Sequence, residues 1–194
     1  MNLTKYVKQI LIINIVLFLL TYIIPSVITN LVLFPFTDAN FIPSQLVTHM
    51  FLHGSVQHMV FNMLALVLFG PEIERKYGSK NFIWFYLISG VLCGISHLLF
   101  MGGAVIGASG ALFGLMALYA LINPNQKLYL YFLIPIKSKF IIGGIILFEL
   151  YYVIIGQFDG ISHIAHLTGA LCGLVFFLIN KKRFDHPTST NAHL

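Results

Sequence analysis

The sequence predicts an all-α membrane protein, a bundle of six transmembrane helices forming one domain over residues 1–194, with both termini cytoplasmic. Three observations carry this reading. Charged residues are 9% of the chain and mean hydropathy is +0.90, against roughly 25% charged in an ordinary soluble domain. Apolar runs, several near the roughly 17–25 residues that span a bilayer, fall at 9–28, 56–70, 82–101, 109–122, 139–156 and 163–180. Six spans threaded from an inner N-terminus also put all eleven basic residues on the cytoplasmic side, as the positive-inside rule demands.

The elements follow in order. Lys5 and Lys8 precede span one, which starts as a signal peptide would, but no A-x-A-like cleavage site follows and the charge pattern needs it as a helix. Residues 29–55 form a long outer loop whose apolar stretch, Leu31 to Phe36, is expected to lie in the interface and pack against the bundle. Arg75, Lys76 and Lys80 lie between spans two and three, Lys127, Lys137 and Lys139 between four and five, and Lys181, Lys182 and Arg183 after six. The remaining loops hold only Asp38 and Asp159. The net charge of +5 is therefore a topology signal, and its scatter over loops excludes a nucleic-acid face. Cys93 and Cys172 sit within spans and form no disulfide framework or metal knuckle.

The chemistry centres on Gly107 to Gly114, GASGALFG, which follows an uncharged loop and opens span four. A serine at a glycine-rich helix start is exposed beside free backbone N–H groups and a positive dipole end. The same small residues also serve plain helix packing. From Ser109 to Ile122 is 14 residues, about 21 Å of helix in roughly 30 Å of hydrocarbon. With Asn123-Pro124-Asn125 at the inner boundary, Ser109 lies about 9 Å below the outer one, a depth where irregular backbone survives only inside protein or beside water.

Other polar residues meet it. His58 and Asn62, four apart near the outer start of span two, share a helix face and either bond neighbouring helices or aim donors at developing negative charge. Span six opens with His163 and His166, and His166 heads a stripe of Gly169, Ala170 and Gly173 that matches Gly110, Gly114 and Ala117 on span four. Such stripes let helices approach closely. His166 lies 15 residues before Lys181, and Asn62 and His58 lie 13 and 17 before Arg75. At 1.5 Å per residue these are depths of about 22, 20 and 25 Å from the inner anchors, one layer with Ser109.

Other candidates are weaker. His49, His53 and His58 invite a zinc reading, but no Glu follows the first His and Gly54-Ser55 interrupts the run, so no metal is expected. Glu74 pairs with a base or caps a helix, and His97 has no obvious partner. Glu149, about 15 Å deep in span five, is either a catalytic acid or, the favoured reading, a strut orienting a loop.

Together, His58-Met-Val-Phe-Asn62, Gly107-Ala-Ser109-Gly110 and Ala165-His166-x-x-Gly169 with Gly173 resemble the rhomboid family of intramembrane serine proteases, in its basic six-span bacterial form. The resemblance spans nearly the whole chain. It implies Ser109 as nucleophile and His166 as general base, with His58, Asn62 and the backbone N–H of Ser109 as the oxyanion hole. Gly107, Gly110 and Gly169 would support the site, and Phe113 would pack on the His166 ring. It further implies cleavage of transmembrane protein substrates near the outer face, in a bacterial plasma membrane, without cofactor, metal or ATP. One departure stands out: the family often carries Trp-Arg in the outer loop, and here Ser44-Gln45 stand there, leaving the anchoring of that loop in doubt.

No carboxylate is expected to orient His166, so the sequence reads as a dyad. A catalytically silent membrane-protein binder would have lost the dyad, and both members are present. A small transporter would need a through-going polar path, whereas this polar layer is confined to the outer half. The oligomeric state is not set by any of these residues.

Overall fold

The computed structural model describes residues 2–130, 133–156 and 159–181. Lys182 and Arg183, expected as inner anchors, lie outside the described residues. Helices dominate: α1 (Lys5–Ile23), α2 (Ser26–Leu31), α3 (Gln45–Thr48) running into a 3-10 turn (His49–Phe51), α4 (Val56–Tyr77), α5 (Ser79–Phe100), α6 (Ser109–Ile122), α7 (Ser138–Ile155) and α8 (His163–Asn180). A small antiparallel hairpin, β1 (Lys127–Leu130) with β2 (Ile134–Lys137), joins α6 to α7, with Lys127 opposite Lys137. The sequence reading left this hairpin as loop.

Five helices, α1, α4, α5, α7 and α8, are long and apolar enough to cross a membrane, and α6 is apolar but only 14 residues long. Large apolar side chains such as Leu19, Trp84, Phe100, Phe148 and Ile179 face outward, as an integral membrane protein requires. Span boundaries agree with expectation for α6 and α8, and within a few residues for α5 and α7. Two differ more. Span one, expected at 9–28, is α1 ending at Ile23, because Pro25 has no N–H to continue the ladder and starts α2 instead. Span two, expected to stop at residue 70, continues through Pro71 to Tyr77.

That extension has a cause. Glu74, fully buried in the last turns of α4, accepts hydrogen bonds from Thr4 Oγ1 (2.5 Å) and from the backbone N–H groups of Tyr6 and Val7 (each 3.0 Å). It also accepts one from Ser79 Oγ at 2.6 Å. The carboxylate thus caps α1, whose first N–H groups lack intrahelical partners, and ties three helix ends together. The capping reading of Glu74 holds.

α6 is the central post, packed against α4, α5, α7 and above all α8. It is buried nearly all round, through Gly110, Ala111, Leu112, Gly114, Leu115, Ala117, Leu118 and Tyr119, which explains an apolar helix with no polar stripe. α4, α6 and α8 run parallel: His58 lies beside Gly107, Phe69 packs on Tyr119 and Tyr77 on Phe176. At one end Ser138 Oγ donates to Asn123 O at 2.5 Å, closing α6 onto α7. The serine of α6 stands at the other end.

The 29–55 segment does pack on the bundle. Leu33 is fully buried and exchanges backbone hydrogen bonds with Val105 in the loop before α6. Gly90 and Gly94 notch α5: a Cβ at Gly90 would meet Met50 Cε at 2.0 Å, and one at Gly94 would meet Leu33 Cδ2 at 2.8 Å and His49 Cε1 at 2.9 Å. Gln45, at the departure from the family pattern, is fully buried; its Oε1 accepts from Ile42 N–H at 3.2 Å and its Nε2 donates to Asn40 O at 2.9 Å. One amide therefore satisfies the turn of this loop from within.

Candidate active site

Gly107, with φ +121°, turns the chain into α6, a conformation that side-chain-bearing residues rarely adopt. Its N–H donates to His49 O at 2.9 Å, so the turn is held by the outer segment. Ser109 follows as the first residue of α6. The first N–H groups of that helix have no partner within it and are free to receive an anion.

Ser109 meets His166 at the start of α8. Ser109 Oγ lies 2.7 Å from His166 Nε2, a well-formed hydrogen bond. The approach depends on the two stripes. A Cβ at Gly169 would sit 1.9 Å from the Gly110 carbonyl oxygen, and one at Gly173 2.4 Å from that of Gly114. No other residue could stand at these two positions with the helices so close. Phe113, one turn along α6, stacks on the His166 ring at 4.1 Å and 7°, and fixes the imidazole plane.

His58 and Asn62 line the same cavity of about 1110 Å³ as Ser109, Phe113 and His166. His58 reaches the turn itself: a Cβ at Gly107 would lie 2.8 Å from His58 Nε2. Asn62 is set back, its Nδ2 donating to His58 O at 2.9 Å, so one of its two amide hydrogens is already used. Ser55 Oγ caps α4 by accepting from His58 N–H at 3.1 Å and sets where that face begins.

The expectation that no carboxylate stands near His166 is corrected. Glu149 Oε2, on α7, lies 3.0 Å from His166 Nδ1 and 2.5 Å from His163 Nδ1. His166 Nδ1 is buried without an aligned hydrogen bond, so the carboxylate is close but off the direction of that N–H. His163 Nε2 in turn lies 3.2 Å from Asp159 Oδ1, and its ring stacks on Tyr152 at 4.7 Å. Glu149 reaches two histidines of α8 rather than propping a loop alone. His97 is also corrected: its Nδ1 lies 2.8 Å from Ser162 Oγ, joining α5 to the start of α8.

Sequence reasoning gave His163 and Asp159 no role. A signal was present: His163 and His166 are three apart, hence on one face, and a lone carboxylate late in the preceding antiparallel helix falls near that face. Among the described residues, Glu149, His163 and His166 are the one group whose atoms, within 4.8 Å of one another, could share a metal ion. His49, His53 and His58 form no such group there. His53 and His58 instead meet edge to face at 4.9 Å, and His49 Nδ1 lies 2.8 Å from Gln45 O.

Residues 41–183 match the family model of the rhomboid domain. The chain belongs to the rhomboid family. It is similar to proteins named "Rhomboid protease GlpG" from Salmonella typhi, Salmonella typhimurium and Salmonella enteritidis, at 28% identity over 137 residues. That match covers 69% of this chain and 47% of each relative, so the chain spans about half the length of the curated relatives it matches. In this rhomboid chain the matched region takes in α4 to α8 and with them Ser109 and His166.

Proposed function

We propose that this protein is an intramembrane serine endopeptidase that cuts transmembrane segments of membrane-protein substrates. The observation that carries the reading is the 2.7 Å Ser109–His166 hydrogen bond at the wall of a cavity large enough for an extended peptide. His166 Nε2 takes the Ser109 proton as Oγ attacks the scissile carbonyl, and the imidazolium then protonates the leaving amine. Water, deprotonated by the same nitrogen, releases the acyl group and regenerates Ser109. The oxyanion is held by the Ser109 N–H, by His58 Nε2 and by the second amide hydrogen of Asn62.

The protein crosses a bacterial plasma membrane six times, with α6 as the short fourth span and both termini cytoplasmic. Lys5, Arg75, Lys76, Lys80, Lys139 and Lys181 sit at the helix ends away from Ser109, which supports a site opening to the outer side. The name of the Salmonella relatives supports the proteolytic reading. No cofactor or metal takes part in the scheme.

Wild-type protein and the variants Ser109→Ala and His166→Ala, purified in detergent, are compared for labelling by a fluorophosphonate probe and for cleavage of a transmembrane reporter. Both signals should disappear in Ser109→Ala while the melting temperature stays within a few degrees. Unchanged cleavage by Ser109→Ala would overturn the assignment.

A further inference from the structure

Two carboxylates and two imidazoles form an unbroken file beside the nucleophile. From the loop before α8 inward it runs Asp159, His163, Glu149, His166 and Ser109, with successive distances of 3.2, 2.5, 3.0 and 2.7 Å. Four of these side chains come from three separate elements, α6, α7 and α8, and Asp159 from the loop joining the last two. Glu149 is 7% exposed and His163 4%. A buried carboxylate survives only where partners hold its charge.

We infer that Glu149 is a positioning residue for the reaction, orienting His166 through Nδ1 and steadying the imidazolium that forms when Ser109 attacks. The proposal rests on the reading of Ser109 and His166 as nucleophile and base. Its geometric argument starts at His163, whose two ring nitrogens face one carboxylate each, so the ring holds Glu149 in place beside His166. With His166 as the base, its Nδ1 carries the proton, because Nε2 is the atom that accepts from the Ser109 hydroxyl. Buried and without an aligned partner, it has Glu149 Oε2 3.0 Å away, and a small swing of the carboxylate completes the bond. Catalytic hydrogen bonds commonly tighten only when substrate binds.

His58 of α4 lines the cavity on the far side of Ser109 and borders Gly107 rather than Glu149, and Tyr152 stacks on His163 from the same helix as Glu149. A shared metal fits the spacing poorly. Tetrahedral donors at about 2.0–2.1 Å from zinc stand roughly 3.3 Å apart, whereas Glu149 Oε2 and His163 Nδ1 are 2.5 Å apart, a hydrogen-bonding distance.

The test compares full-length wild type, Glu149→Gln, Glu149→Asp and His163→Gln in detergent, with kcat and KM measured on the transmembrane reporter. Glu149→Gln keeps shape and loses charge, and should lower kcat about 100-fold, within the range of general acid–base effects, with KM unchanged. Fluorophosphonate labelling should slow in parallel. Glu149→Asp should recover at least a tenth of the wild-type kcat, and His163→Gln should fall between the two. A wild-type kcat in Glu149→Gln would overturn the inference while leaving Ser109 and His166 untouched. So would a kcat loss matched by a rise in KM and a fall in melting temperature that Glu149→Asp does not relieve. A wild-type rate abolished by EDTA and restored by zinc would assign these atoms to a metal and overturn it equally.

Discussion

Replacing Gly169 by alanine tests the claim that helix proximity makes the site. The added Cβ would lie 1.9 Å from the backbone carbonyl oxygen of Gly110, 2.9 Å from its carbon and 3.2 Å from Gly114 N. A carbon–oxygen contact needs about 3.3 Å, so α6 and α8 must part by about 1.4 Å, since neither partner is a side chain that can swing aside. Ser109 precedes Gly110 and His166 lies one turn before Gly169, so the separation falls on their 2.7 Å bond and stretches it to about 4 Å, past hydrogen-bond range. Misplacement on that scale costs about 100-fold in rate, and overpacking costs about 1–3 kcal/mol of stability. Reporter cleavage and fluorophosphonate labelling should both fall about 100-fold, with a lowered melting temperature. Gly143→Ala on α7, where a Cβ meets nothing within 4 Å, serves as control. Wild-type cleavage by Gly169→Ala would refute the dependence of the dyad on this packing.

Three further outcomes are expected. Gly107→Ala, at φ +121° with His58 Nε2 in the path of the new Cβ, should displace His58 and lower kcat by about 10-fold or more, read in the reporter assay. Glu74→Ala leaves Thr4, Tyr6, Val7 and Ser79 donors without their acceptor and should cost about 2–3 kcal/mol, seen in detergent unfolding, with the rate per folded molecule retained. Burial pushes the pKa of His49, in the loop segment outside the spans, down to about 4, with His97 adding to the fall. The unfolded ring titrates near 6.5, so the unfolded chain takes up the proton first as the pH drops. Stability present above pH 6.5 is therefore lost between about 6.5 and 4, by up to about 3 kcal/mol; melting temperatures across that window should show the slope, and His49→Gln should flatten it.

Much of this protein was legible along the chain because membrane burial writes a strong one-dimensional signal. Length, hydropathy and the alternation of lysine and arginine located the helices, and the ends of α6 and α8 agree to the residue. Depth is also linear, a count of residues at constant rise, so the layer holding Ser109, His166, His58 and Asn62 emerged without coordinates. The matching glycine stripes pointed to a close approach of α6 and α8, and the structure has it.

Lateral arrangement is where counting stops. Spacing puts His163 and His166 on one face of α8, but the face of α7 that meets them is set by packing, and so Glu149 read as a strut while its carboxylate stands 3.0 Å from His166. The outer loop shows the same limit: Gln45 looked like a missing anchor, yet it is buried and satisfies the loop's own backbone, while Met50 and His49 fill glycine notches forty residues away. The run of lysines between α6 and α7 read as loop because two four-residue strands are too short to declare a period. Residue spacing alone set the height of each side chain along its helix, because helical rise is constant. Its partner was decided only by helix rotation and packing, which depend on contacts between residues far apart in the chain.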